Sequence, residues 1–436
     1  MIAAALLVVV QASAGLVGGA TQETFLRSKE DTIPVVSLAE ALESAAHVDP
    51  NYVAALRQVG DAAWVRRSAW SAFLLPSVNF QWSLSQFSPE QFNVGTNATT
   101  DRLTTFSLSG SYDVFRGGAK FHELAGAGAA VDGAAAGELQ ACYQTALATE
   151  SDFYDVIAQR QLLTVSEERV RRATEQLSVA RARVLSGAAV QTDSLQLLLE
   201  LTRAQVDELV QGSALTIARL QLGRRIGRDG PVDAAQPVDD QFQELPLSLA
   251  SAVAEATRTS PGLLVARAQQ RLAETAFKVE RASYLPRLSL FGVWQGFDED
   301  LIPDATNRTV VGASLSFPLF DGGAREIRVF RAGTARRVAD AAAADAQRAA
   351  ARNVTEAYET HTTARAASDL AERAVSVARE NLRVQTERYT GGATTIIDLI
   401  IAQVDLAEAE VGLVQARFAT RLALAGIEAI LGRRLF

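Results

Sequence analysis

The sequence predicts an α+β membrane protein in which long antiparallel coiled-coil helices are joined to four β-strands, the whole arranged as an internal duplication. Three observations lead there. Short motifs recur in the same order at a spacing of about 205–211 residues. Two proline-free stretches, 119–186 and 324–390, carry apolar residues at heptad spacing. Four segments, 77–87, 103–112, 288–297 and 309–320, tend to alternate apolar with small or polar side chains and hold no charge.

The first element reads as an address. Residues 2–10 form an unbroken apolar run, too short for a membrane-spanning helix, which needs about 20 residues. Small residues follow at Ala12-Ser13-Ala14 and Gly18-Gly19-Ala20, so 1–20 is expected to be an export signal, although no basic residue precedes the run. Residues 21–36 are then a linker, 37–226 a first repeat, 227–247 a second linker and 248–436 the second repeat.

Each repeat opens with a helix. Ser37-x-x-Glu40 has the spacing of a capping box, and Pro50 suits the first turn of the next helix, which should stop before Pro76. Then the period changes to two. Val78, Phe80, Trp82 and Leu84 alternate with Ser77, Asn79, Gln81, Ser83 and Ser85, giving a strand over about 77–87. A polar loop, 88–101, leads to a second strand at about 103–115, in which Phe106, Leu108 and Tyr112 alternate with Thr105, Ser107 and Ser111. Phe80, Trp82, Phe106 and Leu108 are the expected lipid-facing residues. Strands at about 287–297 and 309–320 repeat the pattern less cleanly, around an acidic loop with Asp298, Glu299, Asp300 and Asp304. Glycine pairs, Gly117-Gly118 and Gly322-Gly323, end the second strand of each repeat and start a long helix. Four strands cannot close a barrel, and open edges are not tolerated in lipid, so the barrel must be shared between chains.

The long helices come next. At 1.5 Å per residue, 119–186 makes about 100 Å of helix. Val156, Leu163, Val170, Leu177 and Val184 mark its seam; Val375, Leu382 and Tyr389 mark that of its counterpart. From Phe115 to Gly187 is 72 residues, and from Phe320 to Gly392 again 72. Flexible linkers would drift in length; rigid elements of matched length do not.

Composition excludes several classes. Of 436 residues, 48% are hydrophobic and 21% charged, which fits neither a disordered chain nor a bundle of membrane helices. The net charge is −8 with no basic cluster, which speaks against nucleic-acid binding. Cys142 is the single cysteine, and His47, His122 and His361 are far apart, so no disulfide, metal centre or cofactor is expected. No GxSxG, HExxH or Walker lysine occurs, and His122-Glu123 lacks a second histidine at ligand spacing, so no enzyme is expected.

With these motifs in place, the chain resembles the TolC-like outer-membrane efflux proteins, the outer membrane factors. The resemblance covers about 37–436. It rests on the duplicated Leu-Pro before a strand (Leu75-Pro76, Leu285-Pro286), on Phe-x-Gly-Gly after the second strand, and on Arg388-Tyr389-x-x-Gly392 with Asp398 six residues on. It implies a homotrimer with a twelve-stranded barrel in outer-membrane lipid and an α-helical tunnel in the periplasm. It also implies docking, through a periplasmic adaptor, to an inner-membrane pump, as the passive exit duct of efflux or type I secretion. A coiled-coil adaptor or structural protein of an export complex is the alternative, against which the duplication and the lipid-compatible strands argue. The resemblance puts the periplasmic tip turns and adaptor contact at Gly187, Gly391 and Gly392, and ties Asp193, Asp398 and Tyr389 to the entrance. Asp193 and Asp398 occupy matched places near helix starts, where a carboxylate also serves as a cap. Thr394 stands where a basic latch residue can occur and Ile401 where a further aspartate can lie, so a more apolar closure is expected.

Overall fold

The computed structural model describes residues 33–93, 97–236, 245–298 and 306–435. The export signal, most of the first linker, part of the second, and Glu299, Asp300 and Asp304 of the acidic loop lie outside the described residues. The elements, in order, are β1 (Val35–Val36), α1 (Leu38–Val48), α2 (Pro50–Leu74), β2 (Ser77–Asn93), β3 (Ala98–Arg116), α3 (Ala119–Leu185), α4 (Gln191–Arg225) and β4 (Asp233–Ala234). There follow α5 (Leu249–Thr259), α6 (Pro261–Ala282), β5 (Arg287–Asp298), β6 (Thr306–Ser316), α7 (Ala324–Thr390) and α8 (Ile396–Leu431).

The helix starts follow local chemistry. Ser37 and Glu40 form the reciprocal capping box, at 2.9 and 3.3 Å. Asp49 caps α2 by accepting from the amides of Asn51 and Tyr52, with Pro50 next to it at a position whose N–H has no helical partner anyway. The strand-to-helix turns use both glycine pairs with positive φ, 60° and 84° at Gly117 and Gly118, and 71° and 82° at Gly322 and Gly323. Gly117 is also confined: a Cβ there would lie 2.3 Å from the Ala282 carbonyl oxygen.

α3 and α7 are each 67 residues long, about 100 Å. Each pairs along its length with two shorter helices. At one end α2 packs on α3, while α6 packs on both α3 and α7; at the other, α3–α4 and α7–α8 are antiparallel hairpins joined through α3 and α8. The seam residues Val156, Leu177, Val375, Leu382 and Tyr389 are buried. On α7 the same heptad line continues upward through Ser368, His361 and Val354, all buried. Burial holds the His361 imidazole below its ordinary pKa, with Arg365 acting the same way. Where helices crowd near the sheet, the seam is built from Ala127, Ala129, Ala136, Ala343 and Ala350. Among the described residues no helix is long and apolar enough to cross a membrane.

The four long strands form one antiparallel sheet in the order β2-β3-β5-β6. Its register sets Phe80 opposite Leu108, Trp82 opposite Phe106, and Leu108 opposite Trp294. The side-chain period then collects Val78, Phe80, Trp82, Phe106, Leu108, Leu290, Trp294, Val311 and Leu315 on one face, with Arg102 on the same face farther along, opposite Gln86. Phe106 and Trp294 meet edge to face at 4.8 Å, and the Phe106 ring lies over Gly296, its cross-strand partner. β2 and β6 are the outer strands, each with one pairing edge open among the described residues.

Several boundaries differ from the sequence reading. β2 and β3 run to 17 and 19 residues, taking in most of the expected loop 88–101. Gln91–Thr100 and Phe92–Thr99 remain paired beyond a register shift between Gln86 and Gln91; Pro89 falls within that shift, where the ladder needs no regular donor. β6 ends at Ser316 rather than about 320, before Pro318, which has no N–H to donate. The expected linkers also meet: Val35–Val36 pairs in parallel with Asp233–Ala234. Val36, Val232 and Ala234 are buried in a cluster with Phe153, Val156 and Leu222, and Asp233 is ion-paired with Arg160 and Arg219. Two-residue strands are too short to show any period.

Candidate functional site at the hairpin tips

The two hairpin turns lie at the helical end remote from the sheet. Each long helix closes with one residue in helical conformation followed by a glycine at φ 77°: Ser186 then Gly187, and Gly391 then Gly392. Gly187 and Gly392 thus hold the left-handed conformation of the turn. Gly391 does not need to be glycine, since Ser186 adopts the same conformation (φ −81° and −76°).

The return helices start differently. Thr395 caps α8 in a full capping box: its hydroxyl accepts from the Asp398 amide, and its own amide donates to Asp398 Oδ2 at 3.2 Å. The Thr394 and Thr395 hydroxyls also donate to Asp398 Oδ2, at 2.8 and 2.7 Å. These bonds, those from Thr395 first, hold the Asp398 carboxyl below its ordinary pKa. At the matched start of α4 stands Val190, which has no capping atom. Asp193 is therefore left without a hydroxyl partner in its own turn, and instead accepts from Tyr389 Oη of the other hairpin at 3.4 Å. Burial, then the Asp193 charge, raises the Tyr389 hydroxyl pKa.

The structure thus brings Asp193 and Tyr389 together and ties Asp398 within its own turn. It also adds a residue that function-directed reading of the sequence passed over. Arg183 donates to the Tyr389 carbonyl and, at 2.7 Å, to the Thr390 carbonyl, satisfying the C-terminal end of α7. Its guanidinium carbon lies 4.9 Å from the centre of the Tyr389 ring. It further reaches Ala188 O in its own turn at 3.4 Å. Hydrogen bonds to a charged donor are worth about 1.5–3 kcal/mol when shielded and less where water reaches them. Arg183 thus ties the two hairpins at the tip, as the Arg172–Glu410 ion pair at 3.1 Å ties them further along the helices. The signal was present in the sequence: Arg183 opens the gap-free match of 183–193 to 388–398. This contact adds a polar tie to the apolar closure expected from the sequence. Beneath the polar ties, Leu177, Leu197, Leu382, Tyr389 and Leu399 form the buried seam of the two hairpins.

Paired helical hairpins built on helices about 100 Å long, carried on a sheet with one mainly apolar face, define the architecture of a helical duct on a membrane-compatible sheet. The family pattern of outer membrane efflux proteins matches residues 42–228 and 252–433, and the chain belongs to that family. Three solved structures share the fold. The outer membrane protein VceC of Vibrio cholerae covers 92% of this chain and 97% of its own at 16% identity, with a TM-score of 0.76. The Campylobacter jejuni CmeC outer membrane channel covers 91% and 85% at 15% identity, with a TM-score of 0.78. The open state of the Neisseria gonorrhoeae MtrE outer membrane channel covers 91% and 89% at 18% identity, with a TM-score of 0.76. The alkaline protease secretion protein AprF of Pseudomonas aeruginosa is 28% identical over 174 residues. That match takes in 38% of this chain and 36% of AprF's length.

Proposed function

We propose that this protein is the outer-membrane exit duct of a tripartite efflux or type I secretion system. It conducts passively what an inner-membrane pump and a periplasmic adaptor deliver, and its cargo is set by the pump. The observation that carries the reading is the sheet: one face is apolar and carries no charge between Val78 and Trp82 or between Phe106 and Leu108, and among the described residues its two outer strands have no further partner. In lipid such edges must pair. Three copies close twelve strands into a barrel, with Phe80, Trp82 and Leu108 toward lipid. The name of AprF favours the secretion arm, and the family's own name the efflux arm. In this reading 1–20 is an export signal, 37–226 and 248–436 are the repeats, and the segments between them are connections that meet as β1 and β4. The tip turns at Gly187 and at Gly391 and Gly392 form the adaptor contact, Asp193 and Asp398 line the periplasmic entrance, and the buried Tyr389 helps latch it.

Native mass spectrometry of the full-length protein extracted from outer membranes tests the assembly: a trimer is expected, and a monomer or dimer overturns the reading. Trp82→Arg tests the facing. An arginine near the bilayer midplane costs about 2–4 kcal/mol on a lipid face, so the variant should fail to insert. Normal insertion of that variant would reverse the assignment.

A further inference from the structure

We infer that Arg388 of one copy caps the C-terminal end of α3 in the next copy, donating to the Val184 and Leu185 carbonyls. Six hairpins would then be ringed by guanidinium caps that alternate within and between chains. The inference rests on the trimeric reading above.

The argument starts from a contact that is half present. Arg183 makes two kinds of bond: to Ala188 O of its own turn at 3.4 Å, and to the Tyr389 and Thr390 carbonyls of the neighbouring hairpin. Arg388 is its counterpart, 205 residues on in the gap-free match. It makes the first kind, to Ala393 O at 3.5 Å. For the second kind, the residues matching Tyr389 and Thr390 are Val184 and Leu185, which belong to the hairpin before it in the chain. Leu185 is 89% exposed.

The order of the helices says where such a hairpin lies. α3 packs on α4 and on α8, and α8 on α7, so the row reads α4–α3–α8–α7. The relation that carries the first hairpin onto the second also carries the inner α3–α8 seam onto an α7–α4 seam with another copy. Both outer helices are dressed for that contact. On α7, Leu370 and Val377, one heptad apart, are 63% and 70% exposed; on α4, Leu198, Leu199 and Val206 are exposed. The α8 counterpart of Leu198 is Gln403, which is buried. Repeating the rotation sets the end of α7 beside the next copy's α3, and Arg388 beside its last carbonyls.

The two seams would not be equal. Within a chain, Arg183 is backed by the stacked Tyr389 ring and by the Tyr389–Asp193 bond. Between copies Val184 replaces Tyr389 and offers neither ring nor hydroxyl, while Asp398 is already held by Thr394 and Thr395. Arg388 is then the main polar tie of that seam, and the tip opens first between copies.

The test uses full-length protein in isolated outer membranes, with Cys142→Ser removing the native thiol. Cysteines at Leu185 and Arg388 are joined with a short bifunctional thiol reagent, and the products are sized by denaturing electrophoresis. Native mass of the parent protein reads the trimer independently. Dimer and trimer bands from a trimeric parent support the inference. A trimeric parent whose tip pair links only within a chain, or not at all, overturns it and leaves the exit-duct reading standing. A monomeric parent overturns both. Because the cysteine variant lacks the guanidinium, Arg388→Ala and Arg388→Lys are compared in planar bilayers. The alanine variant should show about tenfold more open time, the scale of one lost hydrogen bond to a charged group, and lysine should restore part of the closure. Parent-like closure in Arg388→Ala would remove the capping role.

Discussion

The two hairpin tips have the same backbone and different chemistry. The amides of Gly187 and Gly392 each donate at 3.1 Å to the carbonyl three residues back, and those of Ala188 and Ala393 each donate at 2.8 Å to the carbonyl five back. Past the turn they diverge. The second tip has Thr395 to cap α8 and keeps Asp398 in its own turn; the first has Val190, and its Asp193 turns to Tyr389 on the other hairpin. A duplicated turn therefore fixes where a carboxylate stands, and the residues three and four positions earlier decide what it bonds. Two differences, Ala189 for Thr394 and Val190 for Thr395, separate a local cap from a link between hairpins.

The largest expected effect comes from removing the tie that both tips share. Arg183→Ala deletes the donor to the Tyr389 and Thr390 carbonyls and the stack on the Tyr389 ring. For a partly buried group this should cost about 2 kcal/mol of closure. In planar bilayers the variant should open tens of times more often than the parent. Arg183→Lys should fall between, since an ammonium keeps the charge and loses the planar fork. A parent-like closed state in Arg183→Ala would mean that the apolar seam, with the Tyr389–Asp193 and Arg172–Glu410 contacts, holds the hairpins without Arg183.

Next in size is an exchange of the caps themselves. Thr395→Val should cost α8 about 1 kcal/mol, the usual worth of a lost N-cap. Val190→Thr should do the reverse at α4 and stabilise its first turn. It should also draw Asp193 away from Tyr389 and so loosen the tip while tightening the helix. Hydrogen exchange at the amides of 191–193, read beside open probability, separates the two. Slower exchange with unchanged opening would show that the 3.4 Å Tyr389–Asp193 bond contributes nothing to closure.

The carboxylates can also be compared by ion selectivity. Asp193→Asn and Asp398→Asn each remove three charges from a trimeric entrance, and both should weaken cation preference. Only Asp193→Asn should change opening as well, because only Asp193 bonds across the hairpins. Folding should change little in either, as asparagine keeps the size of aspartate and a side-chain oxygen that accepts hydrogen bonds. Equal gating effects from the two would erase the distinction drawn between the tips.

Much of this was legible beforehand. The heptads, the glycine pairs and the matched 72-residue spacings located the long helices and their turns, because each depends on short-range steric rules. The alternation at Val78, Phe80, Trp82 and Leu84 located β2 for the same reason. Its far end was misread, since Pro89, Gly95 and Asn97 look like a loop while Gln91–Thr100 and Phe92–Thr99 are held by cross-strand pairing. At the site, Asp193 and Asp398 could be marked by duplication and Tyr389 by the family resemblance. Their partners could not, because a bond across 196 residues of sequence leaves no local pattern. Arg183 shows the limit most clearly: it stood in the repeat alignment, and only the packing of α3 against the second hairpin gives it the α7 carbonyls as acceptors.

The smallest expected effect is a pH dependence confined to the second tip. Hydrogen bonds from Thr395, Thr394 and the Thr395 amide favour the ionised Asp398 carboxylate and depress its pKa in the folded protein. A depressed folded value means that the unfolded chain takes up this proton first as pH falls. The stabilisation is therefore complete above the ordinary carboxylate pKa and is lost as pH drops through the depressed folded value. Acidification should raise amide exchange in the first turn of α8 relative to the intrinsic rate at each pH. Asp398→Asn should abolish that rise, because its amide oxygen accepts the same bonds without titrating. The group is solvent-exposed, so the change should stay local and leave the melting temperature of the assembly nearly unmoved. Exchange that accelerates equally in parent and Asp398→Asn would assign the acid response to another group, and the buried His361, whose protonation opposes burial in the same direction of pH, would be the next to replace.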